Sequence, residues 1–461
     1  MKSISIVKTG NIEGSWKGFM DMTEGDPVRS ILWFALPLAA GNVFQQLYYL
    51  TDSAIIGRYI GINALAATSS CSWVSWTINA FSRDLSGAVS ITASRAVGNS
   101  NRAALRRIAV SAVVFSVLLG LLVMAALEML VGATLDLFQV QEQIREMTGA
   151  YMRVTYLGLP AILLFNILAA VLRAAGNSRV TFYAVSAATV LNIGLDFLFV
   201  AMLHMSVRAA AAATVAAQLV SLGITATALY KSGILSSEEK LRFIPDPEAL
   251  KEILKLFFPM FANSLVISVG GSIVSRTING IGTHMTAGMA AGTRVFTILE
   301  SVVIAVQTGM SVFVGQNLGA GKTRRIWMGV RRTVLACLGL CIATNIVLQP
   351  LAGAISGVFL SETDPALYLE THAVAALHLH ILIIGLFIMT PMYLYRITVQ
   401  ALGHAEIPLY TAFLQLQARI AAVLFLPMLF GEIAYYLPTV LAWIVTLPVV
   451  YLSAGRLMKN L

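Results

Sequence analysis

Residues 315–329, GQNLGAGKTRRIWMG, repeat the plan of an earlier segment of the same chain, ASRAVGNSNRAALRR at 93–107. In both segments an apolar stretch ends in a turn that contains glycine, and a cluster of arginines follows. A similar offset, about 222 residues, relates DPVRSILWFALP (26–37) to DPEALKEILKLFFP (246–259). Further along, LGLPAILLFNILAAVLRAAGNSR matches IGLFIMTPMYLYRITVQALGHAE at an offset of about 227 residues. The chain is therefore predicted to consist of two halves with one architecture.

The composition is that of a membrane protein. Of the 461 residues, 58% are hydrophobic and 11% are charged, whereas soluble domains are about 25% charged. Apolar runs long enough to cross a bilayer, about 20 residues each, occur twelve times, near 28–56, 62–93, 107–134, 146–172, 179–203, 208–231, 252–277, 284–315, 329–357, 368–399, 406–430 and 433–455. Six spans per half give both halves the same orientation, so the repeats are parallel. The sequence predicts an all-α integral membrane protein with twelve transmembrane helices in two pseudo-symmetric six-helix lobes.

The polar breaks set the predicted domain boundaries. They give an N-terminal tail at 1–26, an N-lobe at 27–231, a linker at 232–251, a C-lobe at 252–457 and a C-terminal tail at 458–461. Arginine and lysine cluster in alternate loops, whereas the loops between them are acidic or nearly uncharged. Because basic loops stay in the cytoplasm, both termini, both tails and the linker are predicted to be cytoplasmic.

Two acidic residues interrupt the apolar pattern, Asp52 in NVFQQLYYLTDSAIIG and Asp196 in SAATVLNIGLDFLFV. A carboxylate at mid-bilayer depth costs about 2.5–3.5 kcal/mol on insertion scales, so each acid is expected to be paired, to face a wet cavity or to bind ions. Each shares its helix face with other polar side chains: Asn42, Gln45 and Tyr49 in span 1, and Asn192 in span 5. Two carboxylates in one apolar pocket can hold a proton or Na⁺ near neutral pH.

The repeat does not carry these acids. At the two offsets, the positions of Asp52, Asn192 and Asp196 are taken in the second half by Val274, Arg419 and Val423. The lobes are predicted to share a scaffold but not the acids, which places the expected cation site in the N-lobe.

Four segments together resemble the multidrug and toxic compound extrusion (MATE) transporters of the MOP superfamily: GQNLGAGKTRR, ASRAVGNSNR, LRAAGNSR and LNIGLDFLFV. The resemblance extends from about Asp26 to the end of the chain. Because span 10 has no acid, it is nearer to the branch named for the DNA-damage-inducible F protein. It implies a monomeric antiporter of the bacterial inner membrane, in contact with membrane lipid. Such a protein would export small amphipathic or cationic substrates in exchange for inward H⁺ or Na⁺, without any cofactor and not as an enzyme.

The resemblance also implies a set of site residues. By motif, the N-lobe cation site of the family falls on Asp52, Asn192, Asp196 and Thr214, with Asn166 in span 4 as a further candidate. No metal other than Na⁺ at Asp52, Asn192 and Asp196 is expected.

A second cation or substrate site is a separate possibility. Glu300 lies in the middle of span 8 with Gln307 on its face, and Arg83-Asp84 places two adjacent charges in span 2. Adjacent residues cannot share a helix face, so this pair is expected to have separate partners or to face a wet cavity. The candidates for this site are Gln45, Tyr49, Arg83, Asp84, Glu300 and Gln307.

Two other functions stay open from the sequence. A lipid-linked oligosaccharide flippase of the same superfamily would need a large cationic cavity, for which Arg83, Arg276, Arg294 and Arg419 are available. An intramembrane enzyme is a remote alternative, because the chain has no HExxH or GxSxG motif. Nucleotide is not expected as a partner, since GQNLGAGKT has five residues where a phosphate-binding loop has four, and nucleic acid is not expected either.

Overall fold

The computed structural model describes residues 19–70, 72–235, 244–360 and 365–461. Parts of the predicted N-terminal tail and linker therefore lie outside the described residues. The described regular structure is helical, and its α-helices in chain order are α1 (Pro27–Ile55), α2 (Ile62–Ser70), α3 (Ser72–Gly98), α4 (Arg102–Met129), α5 (Val131–Leu137), α6 (Glu142–Leu157), α7 (Leu159–Ala174), α8 (Arg179–Asp196), α9 (Val207–Lys231), α10 (Pro247–Asn279), α11 (Thr283–Gly319), α12 (Thr323–Leu348), α13 (Ala352–Gly357), α14 (Pro365–Ala401), α15 (Glu406–Phe425), α16 (Pro427–Phe430) and α17 (Pro438–Lys459). π-helical turns follow α1 (Ile56–Ile60) and α8 (Phe197–Met202), and a 3₁₀ turn (Gly431–Tyr436) precedes α17.

The repeated Asp-Pro dipeptides begin equivalent helices. Asp26 Oδ1 accepts a hydrogen bond from the Arg29 N–H, and Asp246 Oδ1 accepts one from the Glu248 N–H, both at 2.9 Å. In α1 and α10 a proline occupies the first helical position, where a backbone N–H would have no partner within the helix. α10 therefore begins inside the stretch predicted as linker, 232–251.

The number of spans agrees with the prediction except in one region. Ten described helices are long and apolar enough to cross a membrane, and the pair α6–α7, bent by 42°, makes an eleventh. The predicted span near 62–93 is occupied by α2 and α3, on either side of residue 71. α3 contains Arg83 and Asp84 and several serines, which lower its hydropathy, yet it packs against α4, α7, α10 and α11 in the interior.

The helices pack as two groups that match the two predicted lobes. In the first, α8 packs on α1 and α9, and α7 packs on α3, α4 and α9. In the second, α14 packs on α11, α12 and α17, and α15 packs on α10 and α17. The groups meet where α1 contacts α11 and α12 and where α3 contacts α10 and α11. This arrangement confirms the predicted all-α fold class.

The contact between the lobes is tightest near the arginine-rich helix ends, here called the basic face and defined by Arg95, Arg102, Lys322 and Arg325. A Cβ atom on Gly98 would lie 1.8 Å from the carbonyl oxygen of Gln316, and one on Gly319 would lie 2.0 Å from that of Arg95. The two backbones touch here, so any side chain at either glycine forces the lobes apart. The repeated glycine-rich turns are thus the places where the two halves close on each other.

A short entry segment, residues 19–26, crosses the boundary between the two lobes, here called the seam, before α1 begins. Met22 is fully buried, and its N–H donates to Gln316 Oε1 at 2.9 Å while its carbonyl accepts from Asn317 Nδ2 at 3.0 Å. Gln316 Nε2 in turn donates to the Ala174 carbonyl at 2.8 Å. Gln316 therefore ties both the segment and α11 of the C-lobe to the basic end of α7 in the N-lobe.

Arg325→Ala is expected to weaken this tie. The Arg325 guanidinium donates to the carbonyls of Gly25 at 2.7 Å and Glu24 at 2.6 Å, and hydrogen bonds from a charged group contribute about 1.5–3 kcal/mol each. Discounted for partial exposure, we expect a loss of about 1–3 kcal/mol, measured as a lower melting temperature of the purified protein. Arg324→Ala, at the exposed neighbouring position, is the control. An equal loss in both variants would contradict the role of the tie.

Candidate functional site

Both membrane acids lie where an α-helix changes into a π-helical turn. Asp52 is in the last turn of α1 and Asp196 is the last residue of α8. The two π-helical turns contact each other. Such turns are frequent at functional sites. Because α1 and α8 both begin near the basic face, the acids lie on the opposite half of the N-lobe.

The two carboxyl groups face each other within hydrogen-bonding reach. Asp196 is fully buried and Asp52 is half-buried. On each acid the Oδ1 atom is buried and has no hydrogen-bond partner among the described residues. Two facing carboxylates in apolar surroundings cannot both stay ionised unless a cation lies between them. The geometry therefore suits a shared proton or a bound cation.

Neighbouring polar groups link this pair to a third helix. In the amide orientation that satisfies both of its ends, Asn192 donates to Asp196 Oδ2 at 3.0 Å and accepts the Thr214 backbone N–H at 3.1 Å. The hydroxyls of Thr214 and Tyr48 are 3.0 Å apart. The structure thus brings Asp52, Asn192, Asp196 and Thr214 into one cluster, here called the acid cluster, built from α1, α8 and α9.

Tyr48 belongs to the acid cluster although it is absent from the predicted set. It precedes Asp52 by one helical turn and therefore shares its face, which is the signal that could have found it. Gln45 and Tyr49 bond to each other instead, with Gln45 Nε2 donating to the Tyr49 hydroxyl at 3.4 Å. Tyr49 is 42% exposed.

Asn166 lies elsewhere in the N-lobe. Its amide donates to the Ser82 hydroxyl at 3.0 Å and to the Ile162 carbonyl at 2.9 Å. The bond to Ser82 holds α7 against α3, the bond to Ile162 lies within α7, and neither leads to an acid. Asn166 is therefore not placed in the acid cluster.

The charged candidates in spans 2 and 8 lie near the seam between the lobes. Arg83 Nε is 3.9 Å from Asp84 Oδ1, so these adjacent residues form a long ion pair rather than having wholly separate partners. Across the seam, Ser264 lies beside the Asp84 carboxylate. Glu300 accepts a 2.6 Å hydrogen bond from the Tyr393 hydroxyl. Gln307 is half-buried, and none of the described hydrogen bonds involves it.

Tyr48→Phe tests the hydroxyl contact with Thr214. Hydrogen bonds between membrane helices average about 0.6 kcal/mol, so we expect a small loss of stability and a several-fold weaker response to whatever ion the acid cluster binds. The measurement is the melting temperature with and without added Na⁺ and across a pH series. Tyr183→Phe, at an exposed position of α8 outside the cluster, is the matched control. Identical ion and pH responses in both variants would contradict the assignment.

Comparison with known proteins identifies similar chains over most of this length. A family model described as MatE matches residues 37–198 and 259–442. The chain is 26% identical over 310 residues to the probable multidrug resistance protein YpnP of Bacillus subtilis, covering 66% of this chain and 68% of the other. Its fold is similar to that of a mutant of the Vibrio cholerae MATE transporter VcmN, with a TM-score of 0.87, 20% identity and coverage of 94% and 98%. A multidrug resistance MATE transporter of the MOP superfamily, solved in an outward-facing conformation, gives a TM-score of 0.88 with 20% identity, covering 97% and 99%.

Proposed function

Because this chain belongs to the MatE family, we propose that it is a multidrug efflux antiporter in which the acid cluster binds the coupling ion. Inward movement of H⁺ or Na⁺ drives export of small amphipathic or cationic substrates across a bacterial inner membrane. The relatives named as multidrug resistance proteins support this reading. The protein acts without a cofactor and as a monomer.

One observation carries the proposal: the acids meet in the N-lobe, and the residues at their repeat positions meet in the C-lobe without charge. Val274 and Val423, which correspond to Asp52 and Asp196, belong to one buried apolar cluster with Met285. The repeat therefore preserves the meeting of the two helices but not the carboxylates. A membrane carboxylate with a purely structural role would cost free energy on insertion. In the C-lobe the corresponding helices pack without carboxylates at these positions.

The acid cluster can couple ion binding to helix packing. With a proton or Na⁺ bound, the facing carboxylates hold the ends of α1 and α8 together. When the ion leaves, two like charges remain in apolar surroundings, which disfavours that packing. Two carboxylates with amide and hydroxyl oxygens suit a hard cation as well as a proton. Release of the ion therefore favours separation of the ends of α1 and α8.

The structural element that this change in helix packing would open or close is the seam between the lobes. We place the basic face in the cytoplasm because arginine-rich loops remain there. On that face the backbone at Gly98 touches that of Gln316, and the backbone at Gly319 touches that of Arg95. The described conformation is therefore closed toward the cytoplasm. The described hydrogen bond between α1 and α11, from Asn42 Nδ2 to the Ser301 carbonyl at 3.0 Å, is near the middle of both helices. Alternating access then consists of opening this seam while the opposite half closes.

No observation favours the other two functions. Of the arginines that a flippase cavity would require, Arg419 is buried against α10 and donates to the Ile267 carbonyl at 3.1 Å. The acid cluster gives no support for an enzyme, since its acids interact with each other and with amide and hydroxyl groups.

Transport in proteoliposomes tests the proposal. Ethidium uptake into inside-out vesicles is followed under an imposed Na⁺ gradient, an imposed pH gradient, or neither. We expect uptake with one gradient and none without. Equal uptake in all three conditions would exclude an ion-coupled antiporter.

A further inference from the structure

Two side chains cross the seam in the same way from opposite lobes. α3 of the N-lobe and α11 of the C-lobe each end at a glycine on the basic face. Arg95 and Gln316 stand three residues before these helix ends. Arg95 NH2 donates to the Ala401 carbonyl at 2.9 Å, and Gln316 Nε2 donates to the Ala174 carbonyl at 2.8 Å. Each lobe therefore supplies one hydrogen-bond donor to the other.

The two acceptors occupy equivalent places as well. Ala174 is the last residue of α7 and Ala401 is the last residue of α14. In both cases the second residue beyond the helix is a glycine with positive φ, Gly176 at 99° and Gly403 at 101°. Two helices of different lobes thus end in the same kind of turn and present the same carbonyl to the seam.

These carbonyls depend on the opposite lobe for a partner. Carbonyl groups in the last turn of an α-helix have no acceptor role left to fill within the helix, and they carry the partial negative charge of the helix dipole. Among the described residues, the crossing side chains make the hydrogen bonds that reach Ala174 and Ala401. Each lobe therefore caps a helix of the other, and water must replace both caps when the lobes separate on the basic face.

Each donor has a second partner in the segment that begins the opposite lobe. Arg95 NH1 lies 3.3 Å from Glu252 Oε1, in the second turn of α10. Gln316 Oε1 accepts the Met22 N–H of the entry segment at 2.9 Å. The Arg95 side chain is 24% exposed and Gln316 is 1% exposed. Neither side chain can follow its own lobe outward without losing two contacts at once.

We propose that Arg95 and Gln316, here called the seam latch, are positioning residues that set the equilibrium between the conformations closed and open toward the cytoplasm. The inference rests on the proposed export function, in which this seam opens and closes in every cycle. The close glycine contacts at Gly98 and Gly319 permit closure, whereas the seam latch stabilises it. Loss of the latch therefore favours the conformation open toward the cytoplasm and leaves the packing within each lobe intact.

Pulsed electron paramagnetic resonance measures this equilibrium without any transport. In a background lacking the native cysteines, spin labels are attached to Ala103→Cys on α4 and Arg324→Cys on α12, both exposed on the basic face. A second pair is Ile62→Cys on α2 and Val358→Cys after α13, both exposed on the opposite half. Opening toward the cytoplasm lengthens the first distance and shortens the second.

Arg95→Ala and Gln316→Ala should each raise the ratio of open to closed conformations about tenfold, the change expected for one such hydrogen bond. The double variant should raise it about a hundredfold, because the two contacts share no partner. Arg95→Lys keeps a charged donor and should remain closer to the native protein than Arg95→Ala. Arg179→Ala, exposed at the start of α8, is the matched control, and its distances should be native.

Native distances at both label pairs in the double variant would overturn the proposal, and a lower melting temperature with those distances would show a merely structural contact. Equal shifts in Arg95→Lys and Arg95→Ala would also overturn it, because the effect would then come from lost packing. Because Arg95 is only half-buried, its variants answer the question even if Gln316→Ala does not fold. Failure of ion-driven ethidium uptake by the native protein would instead contradict the export function, whereas the distances report the latch alone.

Discussion

Asp196→Asn is expected to reduce ion-driven efflux to the level of liposomes without protein, while the variant folds and inserts normally. Asparagine keeps the size and the hydrogen bond with Asn192, but it cannot release a proton or supply the charge that holds Na⁺. The neighbouring Asp52 would then lose the like charge that makes ion release a driving force. Ethidium efflux under the effective ion gradient is the measurement, with the melting temperature as the check on folding.

Asp136→Asn provides the matched control. Asp136 forms a 2.6 Å ion pair with Arg145 at the surface, and exposed pairs of this kind contribute about 0–1 kcal/mol. Its efflux should equal that of the native protein. Glu300→Gln should have a smaller effect than Asp196→Asn, because Glu300 only accepts the Tyr393 hydroxyl in the described structure. Normal ethidium efflux by folded Asp196→Asn protein would remove the acid cluster from the mechanism.

Gly98→Ala is expected to abolish transport by a different route. The new methyl group would lie 1.8 Å from the Gln316 carbonyl oxygen, so the lobes cannot close on the basic face. The seam should then stay open toward the cytoplasm. The measurement is maleimide labelling of Ser94→Cys in a background lacking the native cysteines, since Ser94 is fully buried at the seam. Labelling from the cytoplasmic side should rise several-fold as efflux falls.

Substitutions at two further glycines show whether the effect is specific to the seam. Gly319→Ala should behave in the same way, because its Cβ would meet the Arg95 carbonyl from the other lobe at 2.0 Å. Gly339→Ala is the control: it lies within α12 with no atom within 4 Å of the new methyl, and alanine favours a helix over glycine by about 1 kcal/mol. Native labelling and native efflux in Gly98→Ala would show that the seam is not a gate.

Local sequence rules account for much of the acid cluster. Asn192 and Asp196 are four residues apart, so one helix face had to carry both, and the structure links them at 3.0 Å. The same rule applies to Tyr48 and Asp52. A tyrosine in an apolar span, however, is also an ordinary packing residue, and only its contact with Thr214 on a third helix separates the two roles.

Contacts between distant helices could not be predicted from spacing. The repeat predicted two similar lobes, yet only the folded chain shows that Gly98 meets Gln316 across the seam. Asn166 lies in an apolar span like the other polar candidates, but its neighbour is Ser82 and not an acid. α3 was predicted as an ordinary span, although its charges make it less apolar than the ten helices that qualify on composition.

The central claim is that the acid cluster carries the ion that is exchanged for substrate. Its most direct test is ion movement driven by substrate: proteoliposomes loaded with ethidium, with no imposed ion gradient, are diluted, and internal pH or Na⁺ is recorded. We predict that native protein moves H⁺ or Na⁺ inward as ethidium leaves, and that protein with Asp52→Asn and Asp196→Asn moves none. Ion movement at the native ratio in the double variant would contradict the account.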